Sequence, residues 1–235
     1  NILLAATTNG LYKTTNGGTS WTVVSSQSLQ DLAFKPNNPS VIYAVNDKFF
    51  KSTNTGNSFT EISSGLPPDN QVNRYKIGVS ADQPNWVYLV CGKQSDSTFK
   101  GMYRSTNSGT NFSLQANSPN IFGYSPTGSD SSGQSWYDLC ISVSPSNKNQ
   151  VFIGGVNLWR SNNQGSSWTC IGGYNWGSAT NPWVHPDMHY MKFKPGSDSL
   201  YVGHDGGISI TSNAGSSWFH KHDGMNITQY YKMSN

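Results

Sequence analysis

The sequence predicts an all-β protein, a β-propeller of four-stranded antiparallel blades, and three observations carry that prediction. An eight-residue pattern of hydroxyl, any, Asn, any, Gly, any, polar, aromatic occurs five times, at Thr14 to Trp21, Ser52 to Phe59, Ser105 to Phe112, Ser161 to Trp168 and Thr211 to Trp218. Its asparagines, Asn16, Asn54, Asn107, Asn163 and Asn213, are separated by 38, 53, 56 and 50 residues, the length of one blade with variable loops. Each copy also follows the same series of short runs: a strand, a Pro/Asn turn, a Val/Tyr-rich strand and a short strand that leads into the pattern.

The first strands align on their turns as Leu32 to Pro36, Ile77 to Ala81, Ile141 to Pro145 and Met191 to Pro195. One parity is apolar (Leu32, Ile77, Ile141, Met191, then Phe34, Val79, Val143, Phe193). The other is small or polar (Ala33, Gly78, Ser142, Lys192). This is the period-two alternation of a strand with one covered face. The second strands, Val41-Ile-Tyr-Ala, Trp86-Val-Tyr-Leu-Val, Val151-Phe-Ile-Gly and Leu200-Tyr-Val-Gly, read as buried, with Gly where neighbouring backbone comes close. In the repeated pattern, Asn is expected to bond backbone N–H groups two residues on and to take left-handed conformations, and Gly to supply positive φ. The closing aromatics Trp21, Phe59, Phe112, Trp168 and Trp218 are expected to anchor each small sheet.

These five corners resemble the Asp-box (BNR) repeats of sialidase-like, sortilin-like and xyloglucanase-like β-propellers, with Asn where that family most often has Asp. Asn keeps the acceptor oxygen and loses the charge, so the turn is expected to survive. The segment Asn1-Ile-Leu-Leu-Ala-Ala reads as the second strand of a blade whose first strand is missing, and Ile227 to Met233 as a first strand with no blade after it. The tail strand either completes the first blade of a five-bladed ring or belongs to a larger propeller. The larger propeller is preferred, because relatives with these boxes usually have more blades. Residues 1–235 are read as one domain.

Only 11% of residues are charged, with a net charge of +3 from 15 basic and 12 acidic side chains; an average domain has about 25%. That is too little for a nucleic-acid surface or a polybasic membrane patch. No apolar run approaches the roughly 18 residues of a membrane span, so no membrane insertion is expected. No signal peptide is recognised, and the start in mid-strand reads as a mature or trimmed product. The polar share comes from Ser, Thr, Asn and Gly, with eight Trp and twelve Tyr, a surface common in secreted carbohydrate-facing or adhesive proteins. Cys91, Cys140 and Cys170 lie in strand-like runs without metal-site spacing and are expected to be buried, inert thiols.

Two insertions, residues 115–137 and 172–187, join an outer strand to the next inner one and are rich in Gly, Ser and aromatics. They are expected on the face where propellers bind ligands, with Tyr124, Trp136, Trp176 and Trp183 as exposed contacts for glycan or protein. In His185-Pro-Asp-Met-His189, an extended strand would put His185, Asp187 and His189 on one face, where they could hold a divalent metal. The alternative is a hydrogen-bonded rim in which Asp187 orients a histidine; no other cofactor is expected.

Asn157-Leu-Trp-Arg-Ser, Trp183 to His189, Leu200 to Ile208 and Met225 to Tyr231 resemble the sortilin-like propeller modules of large secreted Bacteroidota proteins. The resemblance implies an extracellular or cell-surface module with further domains or chains of a larger assembly, exported by type IX secretion. It also implies binding or scaffolding toward protein or glycan rather than catalysis. The alternative is a glycoside hydrolase like the family 74 xyloglucanases, which resemble it in their blades and use two carboxylates about 6.5 to 9.5 Å apart. Its candidate acids are Asp187, Asp138, Asp31 and Asp205. Counted back from the shared turn, Asp31 and Asp138 fall on one parity and Asp187 on the other, so convergence is not expected.

Overall fold

The computed structural model describes residues 2–173 and 182–225. They form one three-stranded and four four-stranded sheets, each with its strands in sequence order. The first sheet holds β1 (Leu3–Thr7), β2 (Gly10–Thr14) and β3 (Thr22–Ser25). The second holds β4 (Asp31–Lys35), β5 (Asn38–Val45), β6 (Phe49–Ser52) and β7 (Thr60–Glu61). The third holds β8 (Val72–Val79), β9 (Val87–Lys93), β10 (Phe99–Ser105) and β11 (Ser113–Ala116). The fourth holds β12 (Cys140–Val143), β13 (Val151–Gly154), β14 (Leu158–Ser161) and β15 (Thr169–Gly172). The fifth holds β16 (Met188–Phe193), β17 (Leu200–His204), β18 (Gly207–Thr211) and β19 (Phe219–Lys221). Every pairing between these strands is antiparallel. The inner strands β4, β8, β12 and β16 pack successively side by side, which is propeller architecture. The expected missing strand of the first blade matches its three-stranded sheet; the tail strand at 227–233 lies outside the described residues. Among the described residues no helix is long and apolar enough to cross a membrane.

The apolar residues are stacked between sheets rather than within them, because a single twisted sheet covers neither of its own faces. Ile77 and Val79 pack toward the second blade, Ile141 and Val143 toward the third, Met191 and Phe193 toward the fourth. Phe34 is the exception, 42% exposed: among the described residues the first sheet puts no inner strand beside it. Cys91, Cys140 and Cys170 are buried, and burial raises all three thiols, Cys140 to about 12 and Cys170 to about 11.

The five repeated corners share one hydrogen-bond pattern. In the fourth blade Ser161 Oγ accepts the N–H groups of Asn163 and Gly165 and donates to Asn163 Oδ1, which also accepts the N–H of Ser167. Asn163 Nδ2 in turn donates to Ser167 Oγ. The amide thus reaches the N–H group four residues on, and at Asn54 and Asn107 also the one three residues on; it is the hydroxyl that serves the position two residues on. Nor does Asn take the left-handed conformation. The two residues after it do: Gly17 and Gly18, Thr55 and Gly56, Ser108 and Gly109, Gln164 and Gly165, Ala214 and Gly215, all with φ between 57° and 99°.

Glycine in the second of these positions has a packing reason too. A Cβ at Gly165 would stand 2.6 Å from Met102, and one at Gly215 2.4 Å from Ile171, each in the preceding blade. The closing aromatics point the same way, which corrects the expectation that each anchors its own sheet. Phe59, Phe112, Trp168 and Trp218 all pack into the seam with the blade before, and Trp218 Nε1 donates to the carbonyl of Ile171 at 2.8 Å. Trp21 has no such neighbour among the described residues and is 42% exposed.

Candidate functional site

The segment from Asn117 to Leu139 crosses the inner-strand ends of the third and fourth blades and is fixed from below. Ile121 and Phe122 are buried in the seam between those blades. Asn120 Oδ1 accepts the N–H of Phe99. Buried Ser135 accepts from Asn73 Nδ2 and donates to the Ser97 carbonyl, both at 2.8 Å. Arg74 Nη1 then donates to the carbonyl oxygens of Trp136 (3.0 Å) and Tyr137 (3.4 Å). Trp136 is therefore held at its backbone while its side chain is exposed; the residue is 66% accessible.

Beneath it lies a carboxyl pair. Gln134 Nε2 donates to Asp187 Oδ1 at 2.9 Å and to Asp138 Oδ2 at 3.3 Å, while Gln134 Oε1 accepts the Tyr124 hydroxyl. Asp138 is 1% exposed. Burial first, and then the neighbouring Asp187, push its pKa up to about 8. Asp138 therefore keeps its proton at neutral pH, and its Oδ1 receives no donor from the protein.

Beside the pair, His189 Nε2 meets Asp205 Oδ1 at 2.7 Å. The Tyr137 hydroxyl reaches Asp205 Oδ2 at 3.5 Å, and its ring stands edge-on to His189. The Asp205 charge raises the Tyr137 pKa. Burial lowers that of Arg74, opposed by Asp31 and Asp138.

A second polar array runs under the fifth blade. His204 Nδ1 accepts the Gly206 N–H at 3.2 Å, which puts its proton on Nε2 for donation to Ser209 Oγ at 2.8 Å. Ser209 Oγ then donates to His220 Nδ1 at 2.8 Å. His185 stacks on His204, and Trp183 packs against His185 and His220. Burial, then His185 and His220, bring the His204 pKa down to about 4. Ser209 is fully buried, and His185, His204 and His220 around it are half-buried.

Several expectations need correction. Asp187 has φ +63° and precedes β16, so His185, Asp187 and His189 do not alternate along one extended strand. His185 Nδ1 faces the carbonyl of Pro186 and His189 faces Asp205. Among the described residues no three His, Cys, Asp or Glu side chains are grouped to hold a metal ion. The histidine rim does form, with Asp205 rather than Asp187 as the partner of His189. Trp183 is half-buried, not exposed; Tyr124 is 46% exposed; Trp176 lies outside the described residues.

Asp138 and Asp187 do converge. A bulge between Met188 and Tyr190 adds one residue to β16, so the parity count fails there and Asp187 takes the place on its strand that Asp138 takes before β12. Arg74, beyond a bulge between Val72 and Arg74, takes the corresponding place on β8. Asp31 stands apart, accepting the N–H of Ile77 and pairing with Lys76 at 3.8 Å. Gln134 and Arg74 escaped sequence reasoning as parts of the site; their signal was the equal distance of Arg74 and Asp138 from the aligned turns. Arg160 braces the corner of the next blade through the Ala214 carbonyl.

No curated protein matches the chain. Among solved structures it resembles the GH74 enzyme of Niastella koreensis, at TM-score 0.63 and 19% identity over 91% of this chain and 34% of that one. It also resembles the GH74 xyloglucanase of Xanthomonas campestris, at TM-score 0.62 and 14% identity over 92% and 36%. A chain of a nidogen/laminin complex matches at TM-score 0.52 and 11% identity, over 94% of both chains. The chain thus spans about a third of the length of these GH74 structures, and likenesses at such identities speak to the fold. The sequence model of Sortilin-Vps10, described as sortilin, neurotensin receptor 3, matches residues 9–152, more than half of the chain. Together with the β-propeller fold, that match identifies the chain as a member of the Sortilin-Vps10 family.

Proposed function

We propose that this chain is a non-catalytic propeller module, working at the cell surface or outside the cell, that holds a protein or glycan ligand on the face carrying residues 117–139. One observation supports this above the others. Trp136 is exposed while Arg74, and the Asn73–Ser135 bond beside it, fix its backbone. A large aromatic held rigid in solvent binds without the ordering cost of a mobile loop. Tyr124, oriented through Gln134, is the second contact. The protein-partner side of the reading draws on the nidogen/laminin likeness, and the glycan side on the GH74 ones.

The corners serve as Asp-box turns in this reading, with secretion by the type IX route, and the module is part of a larger assembly. Support for the last point comes from Val23, 60% exposed on the open side of the first blade, and from Tyr190 and Phe219, 62% and 60% exposed on that of the fifth. Apolar faces of that kind fit further blades. Binding is tested by measuring Kd for candidate surface proteins and polysaccharides with the chain and with Trp136→Ala. A loss of about tenfold or more supports the reading; unchanged affinity for a bound ligand overturns it.

A second reading, glycoside hydrolysis, is favoured by the raised pKa of Asp138, which keeps a proton available at neutral pH. Against it, Asp138 and Asp187 interact directly and share one Gln134 amide, whereas inverting hydrolysis holds its carboxyls about 6.5 to 9.5 Å apart. Reducing-end release from xyloglucan or another β-glucan, abolished in Asp138→Asn, would establish the hydrolase in place of the binding module.

A further inference from the structure

We propose that the recess between the second and third blades is a subsite for a neutral, hydroxyl-rich glycan chain, with Trp136 as a stacking platform at its edge. The inference rests on the ligand-binding reading of this face and names the ligand class and the groove. The recess has a volume of ≈ 440 Å³, and its lining includes Gln30, Asn46, Asp47, Asn70, Asn73 and Gln94. A second recess of ≈ 350 Å³ shares Asn70 and Gln94 with it and extends it toward Lys93 and Lys100. The two form one groove, long enough for a chain of sugars rather than one.

Three amides of this groove are unused, while Asn46 bonds the Ser28 carbonyl and the Lys48 N–H. Among the described residues the side chains of Gln30, Asn70 and Gln94 make no hydrogen bond to the protein, and all three residues are exposed. Asn73 is fixed in the groove wall. Its Nδ2 is tied to Ser97 Oγ (3.2 Å) and Ser135 Oγ (2.8 Å), which sets the amide's orientation, while its Oδ1 is buried and accepts nothing from the protein. Each free amide offers a donor and an acceptor side by side, which matches the paired hydroxyls of a sugar ring.

The charge and shape of the groove exclude other ligands. No cation lines the larger recess; Asp69 is already paired with Lys48 at 2.9 Å, leaving Asp47 as its one open carboxylate. Sulfated or phosphorylated ligands are therefore disfavoured at that end. Peptides draw most of their affinity from buried apolar anchors, and the one apolar lining residue, Val72, is 1% exposed and offers no pocket. Asn73, in the groove wall, holds Ser135, the residue before exposed Trp136. The C–H face of a pyranose ring is apolar and stacks on such a ring while its hydroxyls meet the amides.

The test is affinity electrophoresis of the chain through gels containing xyloglucan, mixed-linkage β-glucan, mannan or heparin, with a parallel screen on an immobilised unfolded-peptide array. The variants are Asn70→Ala with Gln94→Ala, and Trp136→Ala, each checked for an unchanged melting temperature. The expected result is retardation by at least one neutral polysaccharide, weakened about tenfold in both variants. Three results would overturn the proposal. Retention lost in Trp136→Ala and kept in the double variant leaves the face as a binding site and removes the groove from it. Peptide binding that depends on Asn70 and Gln94, without polysaccharide retention, replaces the ligand class. Absence of retention on every neutral polysaccharide rejects the glycan outright.

Discussion

Arg160 Nη1 donates to the carbonyl oxygen of Ala214 at 2.6 Å, joining the strand that leads into the fourth corner to the turn of the fifth. Lys13 does the same between the first and second blades, donating to the Thr55 carbonyl and to Asn57 Oδ1, both at 2.7 Å, and Lys51 reaches Thr110. The residue before the hydroxyl is cationic in four of the five corners, Lys13, Lys51, Arg104 and Arg160. In three of them it crosses to the next blade's turn; Arg104 instead lies over the Trp86 ring. Arg160→Met should lower stability by about 1.5 to 3 kcal/mol, the value of a charge-assisted hydrogen bond. Urea titration checks it; a change below about 0.5 kcal/mol would show the bond to be dispensable.

Thr55 holds φ +61° in the corner of the second blade, a conformation costly for a β-branched residue. Its backbone makes the useful contacts, the N–H to Ser40 and the carbonyl to Lys13. Thr55→Gly should therefore stabilise the fold by about 1 kcal/mol. Gly215→Ala should do the reverse, by about 2 to 4 kcal/mol, because it adds left-handed strain to a clash with Ile171. Thermal denaturation of the two variants should move in opposite directions.

Asp138 has a folded pKa raised from 3.8 to about 8. Between those values the folded chain binds a proton that the unfolded chain has lost, so stability falls as pH rises through the window. Asp138→Asn keeps the shape of the protonated acid without its titration. Its midpoint in urea should match wild type near pH 4 and exceed it at pH 8, by about 1 to 3 kcal/mol. Parallel profiles across the range would mean that Asp138 is ionised in the fold.

His204 titrates with the opposite sign. Its pKa is lowered from 6.5 to about 4, so between those values the unfolded chain takes up a proton that the folded chain refuses. The stability it contributes is full above about pH 6.5 and is lost as pH falls toward 4. Protonation would also turn Nδ1 from an acceptor of the Gly206 N–H into a donor facing it. In His204→Gln the slope of stability against pH between 4 and 6.5 should be shallower; an unchanged slope would remove His204 from the account.

Much of the architecture was legible because it is written in local chemistry. Asn163, Gly165 and Trp168 stand at offsets that only a tight corner uses, and the spacing of the five corners is a blade length. The candidate site was less legible for a local reason as well. Parity counting assumes an unbroken strand, and a single bulge beside Met188 moved Asp187 into line with Asp138 and Arg74. Gln134 was out of reach, since a loop residue 53 positions from Asp187 carries no periodic signal.

What the sequence alone determined about this protein is the unit: a four-stranded sheet closed by an amide-and-glycine corner, because hydrogen bonds over two to four residues depend only on residue type and order. What tertiary structure decided is how units meet. Phe112 and Trp218 fill the preceding seam, Arg160 crosses to the following one, and Asp138 comes to share a glutamine with Asp187. Those relations depend on twist, bulges and the path of a long loop, each summed over dozens of residues, and no stretch of sequence short enough to read holds that sum.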